Sequence, residues 1–250
     1  MRRDIAVIGM KRSGLHAIAA WIREHAQVPM NFVNDVPRTA ELPAEARVEL
    51  ADPSGSYHEE QAVYTIEDRP FESAASIVHR RGRNDLLVLV IRDPLNLFAS
   101  RVRFLRERGD QLRYRDYPTR CVFAEHIGAE RLVYTDHVTH ARAGAPSAVV
   151  VYNAWVLAPD YRRKVGAELG LLPTCEDALG EVQPYGGGSS FTGEEQGGEE
   201  LHAAVLRRWE GMRDDQGFQP YLEDPRPLNA YRLLCAQRGV PYAVPNHEAR

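Results

Sequence analysis

The chain has 250 residues, of which 44% are hydrophobic and 26% are charged, and its formal net charge is -4. These values are typical of a globular protein and exclude disordered and fibrous classes. The acidic balance also argues against a general binder of nucleic acid or membrane surfaces, because such proteins usually carry a basic surface.

Length and cysteine usage bound the organisation further. A chain of this size commonly forms one α/β domain, so we predict a single domain over residues 1–250. The 3 cysteines are widely spaced and offer neither a disulfide framework nor paired metal ligands, which fits a reducing compartment. The apolar run before Lys11 is too short for a signal peptide or a membrane span, so we expect a cytoplasmic protein. No feature of the sequence indicates an oligomeric state.

The first predicted elements are a strand and a helix joined by a glycine-containing loop. Residues 4–10 read as a short buried strand, and apolar residues then recur at helical spacing from Leu15 to Ile22. Two further strands are predicted at 31–33 and 62–66. The turn-rich stretch 37–57 between them is not assigned.

The second half of the chain repeats the strand-to-helix alternation. Residues 85–91 form a continuous apolar run typical of a central parallel strand, and a helix follows from Pro94. A further strand is predicted at 147–153 and a helix at 160–170, with Gly170 as its C-cap. This alternation predicts an α/β three-layer sandwich with a central parallel sheet. Residues 186–198 are Gly-rich and predicted to be a mobile loop.

The loop "GMKRSGLH" at residues 9–16 has two glycines separated by four residues, which is the spacing of a phosphate-binding loop. Its amides from Arg12 to His16 would surround an anion at the helix N-terminus. The nucleoside triphosphate motif continues with Lys-Ser/Thr, whereas this chain continues with Leu15 and His16. An ordinary glycine turn with two exposed basic side chains is the alternative interpretation.

The second loop, "VIRDPLNLFASRV", follows the strand predicted at 85–91. Arg92 ends that strand, and Ser100 lies on the following helix, so that an anion could bridge the two side chains. Asn96, Ser100 and Arg103 share a polar stripe of this helix, opposite an apolar face. Asp93 could hold magnesium, but a helix cap is favoured because Pro94 occupies the first turn.

Together these loops resemble the sulfotransferases that use 3′-phosphoadenosine 5′-phosphosulfate (PAPS). Arg12, Ser13 and Gly14 match the basic, serine and glycine positions of the loop that binds the 5′-phosphosulfate in that family. Arg92 and Ser100 match the arginine and serine that bind the 3′-phosphate. The stretch "YNAWVLAPDYRRKVGAELG" at residues 152–170 is a weaker third similarity.

The resemblance implies a P-loop NTPase-like sulfotransferase fold, PAPS as sulfate donor, adenosine 3′,5′-bisphosphate (PAP) as product, and no metal. It implies transfer to a hydroxyl or amine of a small-molecule acceptor, with Arg12 neutralising charge on the leaving nucleotide, helped by Lys11 and His16. The implied nucleotide-binding residues are Lys11, Arg12, Ser13, Gly14, Leu15, His16, Arg92, Ser100, Gly187, Gly188 and Ser189. The last three belong to a Gly-rich loop that either folds over the 3′-phosphate or is a surface linker.

The sequence departs from the family at several positions. Leu15 and His16 replace two threonines, and Ala17 replaces a tryptophan that contacts adenine. Candidates for stacking on the base are therefore sought elsewhere, at Tyr185, Phe191 and Trp209.

Related enzymes place the catalytic base at the end of a strand between the two nucleotide motifs. Here "AVYTIED" ends with Glu67, our first candidate, and Asp68, our second; His58 or His79 could serve instead. Solvated surface carboxylates are the alternative interpretation.

Two other functions remain open at this point: an ATP- and magnesium-dependent phosphotransferase, and a nucleotide-binding regulator without catalysis. Acceptor specificity is assigned to the stretches 37–57 and 111–129. His137 and His140 lie three residues apart, but a polar helix face explains them better than a metal site because no matching ligand pair is nearby.

Overall fold

The computed structural model describes residues 3–36, 61–80, 85–108, 123–176 and 206–242. Five strands lie within these ranges: β1 (Ile5–Gly9), β2 (Asn31–Val33), β3 (Ala62–Glu67), β4 (Leu86–Ile91) and β5 (Ala148–Val151). They form one all-parallel sheet in the order β2-β3-β1-β4-β5, with β1 at its centre.

Helices follow β1, β3, β4 and β5 along the chain, as is usual between parallel strands. They are α1 (Leu15–His25), α2 (Phe71–Arg80), α3 (Pro94–Arg108), α4 (Phe123–Ala143), α5 (Tyr152–Leu157), α6 (Pro159–Leu169), α7 (Gln219–Glu223) and α8 (Pro225–Arg238). Short 3-10 helices lie at Pro173–Glu176 and Glu210–Met212.

Both faces of the sheet are buried, because successive side chains of a strand point to opposite sides. In β1, Ile5 and Val7 pack in a hydrophobic cluster with α1, α5 and α6. Ala6 and Ile8 pack in a second cluster with α2, α3, α4 and α8. The protein is therefore an α/β structure with helices on both faces of a parallel sheet, as the strand-helix alternation predicts.

The predicted strands are confirmed, with small changes at their ends. The strand predicted at 147–153 ends at Val151, where α5 begins. The stretch 111–129, predicted as a loop, is helical from residue 123 onward, because α4 packs in the core through Tyr134, Val138 and Ala141. The stretches 37–57 and 186–198 lie outside the described residues.

The predicted caps of two helices are also confirmed. The Asn96 amide donates to Asp93 Oδ1 at 2.8 Å, so Asp93 caps α3 ahead of Pro94. Gly170 ends α6 in the left-handed region with φ of 71°. Asp93 is thus engaged as a cap in the described structure.

Two of the three residues in the polar stripe of α3 are buried, and the third, Arg103, is half-buried. Asn96 and Ser100 are fully buried. The C-terminal segment covers this stripe: Asn96 Nδ2 donates to the Leu206 carbonyl oxygen at 2.7 Å, and the Trp209 amide donates to Asn96 Oδ1 at 3.2 Å. The segment around residues 206–212 is thereby held beside the carboxyl end of β4.

The connections place a crevice at the carboxyl edge of the sheet. The loop after β1 leads to α1 on one face, whereas the loop after β4 leads to α3 on the opposite face. Adjacent parallel strands whose connections diverge in this way form the usual ligand-binding crevice of open α/β sheets. Both predicted motif loops lie at this edge.

Within the described ranges, no helix has the combination of length and apolarity needed to cross a membrane.

Candidate functional site

The loop between β1 and α1 folds as a tight turn. The Ser13 amide donates to the Met10 carbonyl oxygen at 3.0 Å, and Arg12 and Gly14 both have left-handed backbones, with φ of 73° and 98°. A Cβ atom at Gly14 would lie 2.1 Å from Tyr152 Cε2. Glycine at this position is therefore required by both the backbone conformation and the close approach of an aromatic ring.

Arg92 joins the two predicted motifs. Its Nη1 atom donates to the Arg12 carbonyl oxygen at 2.9 Å. Its guanidinium carbon lies 5.3 Å from the centre of the Tyr152 ring, which also contacts Gly14. The loop after β1 and the loop after β4 thus form one contiguous feature rather than two unrelated surfaces.

Four arginines, Arg12, Arg92, Arg103 and Arg208, form what we call the arginine cluster. The pKa of Arg208 is lowered to about 9, mainly by burial. The positive charge of Arg92 is the next cause, and those of Arg12 and Arg103 act in the same direction. The guanidinium remains protonated at neutral pH. Arg208 therefore lies within electrostatic reach of three other positive charges, and this setting favours binding of an anion.

Arg12 is oriented within this cluster by an aromatic contact. Its guanidinium carbon lies 4.8 Å from the centre of the Phe104 ring on α3. A cation above an aromatic face is held in place without losing its charge. The Arg12 guanidinium is therefore directed toward α3 and the crevice between β1 and β4.

Two serine hydroxyls lie buried in the predicted motifs. Ser13 Oγ and Ser100 Oγ have no hydrogen-bond partner among the described residues, and the two residues are 1% and 0% exposed. Buried polar groups are nearly always hydrogen-bonded in native proteins. Both hydroxyls therefore have unused capacity next to the arginine cluster.

On the other side of the loop lies the carboxylate cluster: Lys11, His16, Asn34, Asp35 and Glu67. Glu67 ends β3 and pairs in register with Gly9 of β1. Its Oε1 atom lies 3.5 Å from His16 Nε2, and its Oε2 atom lies 3.8 Å from Lys11 Nζ. Lys11 Nζ also lies 3.5 Å from Asp35 Oδ2.

The environment of Glu67 makes it a stronger proton acceptor than an ordinary carboxylate. Burial, followed by the negative charge of Asp35, raises its pKa from 4.5 to about 7, although Lys11 opposes the change. A carboxyl group with a pKa near the working pH is suited to general base catalysis. Glu67, the first candidate for the base, therefore lies in a suitable setting.

Asp68, the second candidate, is engaged elsewhere. It accepts hydrogen bonds from the Lys11 amide at 2.9 Å and from Arg101 Nη1 at 2.7 Å. Arg101 is buried and also binds Glu130, which in turn accepts from the Tyr221 hydroxyl at 2.7 Å. These bonds fasten the loop after β1 to α3, α4 and α7.

The remaining candidates differ in where the structure places them. The Leu15 side chain is buried in the core, so only its backbone faces the loop. Trp209 is buried at 2% exposure, with Arg213 against its ring, and this core position does not suit stacking on a base. His79 is exposed near the C-terminal end of α2, about 12 Å along the helix axis from its first residue. Outside the described residues lie His58, Tyr185, Gly187, Gly188, Ser189 and Phe191.

His137 and His140 both have protein partners. His137 Nε2 contacts the Arg69 carbonyl oxygen at 2.6 Å, and His140 contacts Asp136 and Glu72. Across the described ranges, no group of three His, Cys, Asp or Glu side chains could hold a metal ion.

No protein-family model matches the sequence, and no curated protein matches it either.

Three parts of the site escaped the sequence analysis. Arg208 follows no recognised motif and joins the cluster only through the packing of the C-terminal segment. Arg101 lies on the helix predicted after Pro94, but its spacing along that helix gives no sign of its contact with Asp68. Asn34 and Asp35 could have been predicted as site residues, because polar residues directly after a predicted parallel strand fall at the same sheet edge as the motif loops.

Proposed function

We propose that the protein is a sulfotransferase that moves a sulfuryl group from PAPS to a hydroxyl or amine of a small-molecule acceptor. The observation that carries this proposal is the hydrogen bond from Arg92 to the Arg12 carbonyl oxygen. This bond joins the two predicted nucleotide motifs into a single site. A sulfotransferase-type P-loop fold is part of the same proposal, and the five-stranded parallel sheet supports it.

The distribution of charge suits a donor with two separated anionic groups. Arg92, Arg208 and the Ser100 hydroxyl would hold the 3′-phosphate, whereas Arg12 would lie toward the 5′-phosphosulfate. The turn at residues 12–14 and the Ser13 hydroxyl would hold the 5′-phosphosulfate at the start of α1. The unused buried hydroxyls of Ser13 and Ser100 fit such a ligand.

The carboxylate cluster supplies the second requirement, a base on the acceptor side. When bound, PAPS provides the activated sulfuryl group. Glu67 would take the proton from the acceptor as the new bond from acceptor oxygen or nitrogen to sulfur forms and the bond from sulfur to the bridging phosphate oxygen breaks. Arg12 would neutralise the charge that develops on that oxygen, as positioned cations do in phosphoryl transfer.

The position of Lys11 supports a role at the junction of the two clusters. Its backbone belongs to the anion loop, while its Nζ atom lies near Glu67 and Asp35. The positive charge of Lys11 lowers the pKa of Glu67 and so limits the effect of burial. We assign Lys11 to favouring the ionised form of the base near neutral pH.

Isothermal titration calorimetry with PAP tests binding, and PAP release from PAPS in the presence of phenol, sugar and amine acceptors tests transfer. Arg12→Ala should lower turnover by about 10²- to 10³-fold, while Arg163→Ala, on the exposed surface of α6, should not. Absence of heat with PAP would end the proposal. Binding of PAP without turnover for any acceptor would favour a non-catalytic regulator.

The same preparation separates the phosphotransferase alternative. With ATP and the same acceptors, an ATP-dependent enzyme would release ADP and lose activity in EDTA. The proposed reaction should be unaffected by EDTA and should not consume ATP.

A further inference from the structure

His16 faces the carboxylate cluster and not the arginine cluster. It is the second residue of α1, and its Nε2 atom lies 2.7 Å from Asn34 Oδ1 and 3.5 Å from Glu67 Oε1. Its ring also contacts Phe32 edge-on at 6.0 Å between centroids. The resemblance implied that His16 helps the leaving nucleotide, but these contacts lie on the side of the loop where an acceptor would approach.

A chain of hydrogen bonds sets which nitrogen of His16 carries the proton. The Asp35 amide donates to Thr65 Oγ1 at 2.7 Å, and the Thr65 hydroxyl donates to Asn34 Oδ1 at 3.2 Å. Because Asn34 Oδ1 can only accept, His16 Nε2 must be a donor. Neutral imidazole carries one N–H, so Nδ1 is then the unprotonated nitrogen.

We propose that His16 is a positioning residue for the Glu67 base: Asn34 Oδ1, itself held by the Thr65 hydroxyl, accepts the His16 Nε2–H and thereby holds this edge of the imidazole beside Glu67 Oε1. Each carboxylate oxygen then faces one donor group: Oε1 shares the single Nε2–H of His16 with Asn34 Oδ1, and Oε2 faces Lys11 Nζ. Both distances exceed an ordinary hydrogen bond, as is common for catalytic contacts before a substrate binds. The donor pair orients the carboxylate and favours its ionised form.

Among the described residues, the charged groups that act on Glu67 come from four parts of the fold. Lys11 comes from the loop after β1, Asp35 from the end of β2, Asp68 from the end of β3 and Arg101 from α3. The two aspartates favour the protonated form of Glu67, while Lys11 and Arg101 favour its ionised form. His16, from α1, adds a donor on the side of the ionised form.

The inference rests on the proposed function for its kinetic consequence alone. In His16→Leu, the pH at which turnover reaches half its maximum should rise, and turnover at pH 7 should fall about 10-fold, since hydrogen bonds to charged groups are worth at least that factor. His16→Gln retains an N–H donor and should restore most of this loss. The affinity for PAP should change by less than about 3-fold in both variants, since a ligand to the nucleotide phosphate would cost about 10-fold or more.

Two spectroscopic readouts need no catalysis, so their failure is distinct from failure of the proposed function. Nitrogen-15 NMR of the imidazoles, with His16→Gln as the assignment reference, should show the Nε2–H form of neutral His16, and Asn34→Ala should increase the Nδ1–H form. Carbon-13 NMR of the Glu67 carboxyl group should show a higher midpoint in His16→Leu. A neutral His16 protonated at Nδ1, an unchanged Glu67 midpoint, or a 10-fold loss of PAP affinity in His16→Leu would each overturn the assignment.

Discussion

Glu67 should make the protein less stable as the pH rises, and replacing it should remove that cost. The native state keeps the Glu67 proton to about pH 7, whereas the unfolded chain releases it near pH 4.5. Between these values the native state binds more protons, so the free energy of unfolding falls with rising pH. Glu67→Gln cannot ionise and should lack this slope.

The magnitude follows from the two pKa values. One pKa unit corresponds to about 1.4 kcal/mol, so a rise from 4.5 to about 7 corresponds to about 3 kcal/mol in total. About 2.5 kcal/mol of this difference should develop between pH 5 and pH 8. The folded chain bears this cost because Glu67 must ionise while it is buried and close to the negative charge of Asp35.

Urea unfolding at a series of pH values, followed by tryptophan fluorescence, measures this difference. The gap in unfolding free energy between Glu67→Gln and the wild type should widen steadily from pH 5 to pH 8 in favour of the variant. Glu24→Gln, at an exposed position on α1, is the matched control and should give a pH-independent gap. A flat gap for Glu67→Gln would refute the reasoning, because it would mean that Glu67 titrates alike in both states.

Three further substitutions test the loop, the arginine cluster and the buried ion pairs. Gly14→Ala should lower the free energy of unfolding in urea by about 2 to 4 kcal/mol, from backbone strain plus the clash at 2.1 Å, whereas Gly144→Ala has open space and should cost about 1 kcal/mol. Arg208→Gln should raise the melting temperature of the ligand-free protein by relieving repulsion and should weaken PAP binding in calorimetry by about 10-fold or more. Arg207→Gln, on the exposed neighbour, should do neither. Arg101→Met should cost about 3 to 5 kcal/mol in urea unfolding by leaving the buried Glu130 and the half-buried Asp68 without their cation, and unchanged stability would contradict that role.

Local patterns were enough to determine the strands, two helix caps and the two motif loops. A strand that is apolar at every position, such as 86–91, must be shielded from water on both of its faces. A parallel sheet with helices on both sides provides this shielding. Once the sheet is parallel, all strands end at the same edge. The meeting of the loop at residues 9–16 with Arg92 followed from that geometry, although the hydrogen bond between Arg92 and Arg12 could not be read from spacing.

The direction of each side chain was decided by the tertiary structure. Lys11 and Arg12 are adjacent in sequence, but their side chains point in different directions. Lys11 lies by the carboxylates and Arg12 lies by α3, and the backbone between them turns through a left-handed conformation at Arg12. The role of Asp68 was likewise decided by Arg101, a partner on another element.

The raised pKa of Glu67 and the place of Arg208 in the arginine cluster also depend on the folded chain. A pKa near 7 arises from burial and from Asp35, which joins Glu67 only when β2 and β3 pair. Arg208 reaches the cluster because the segment that carries it packs on the buried Asn96 of α3. Sequence spacing determines contacts along one helix or strand, whereas electrostatic fields depend on distances between elements, and those distances exist only after packing.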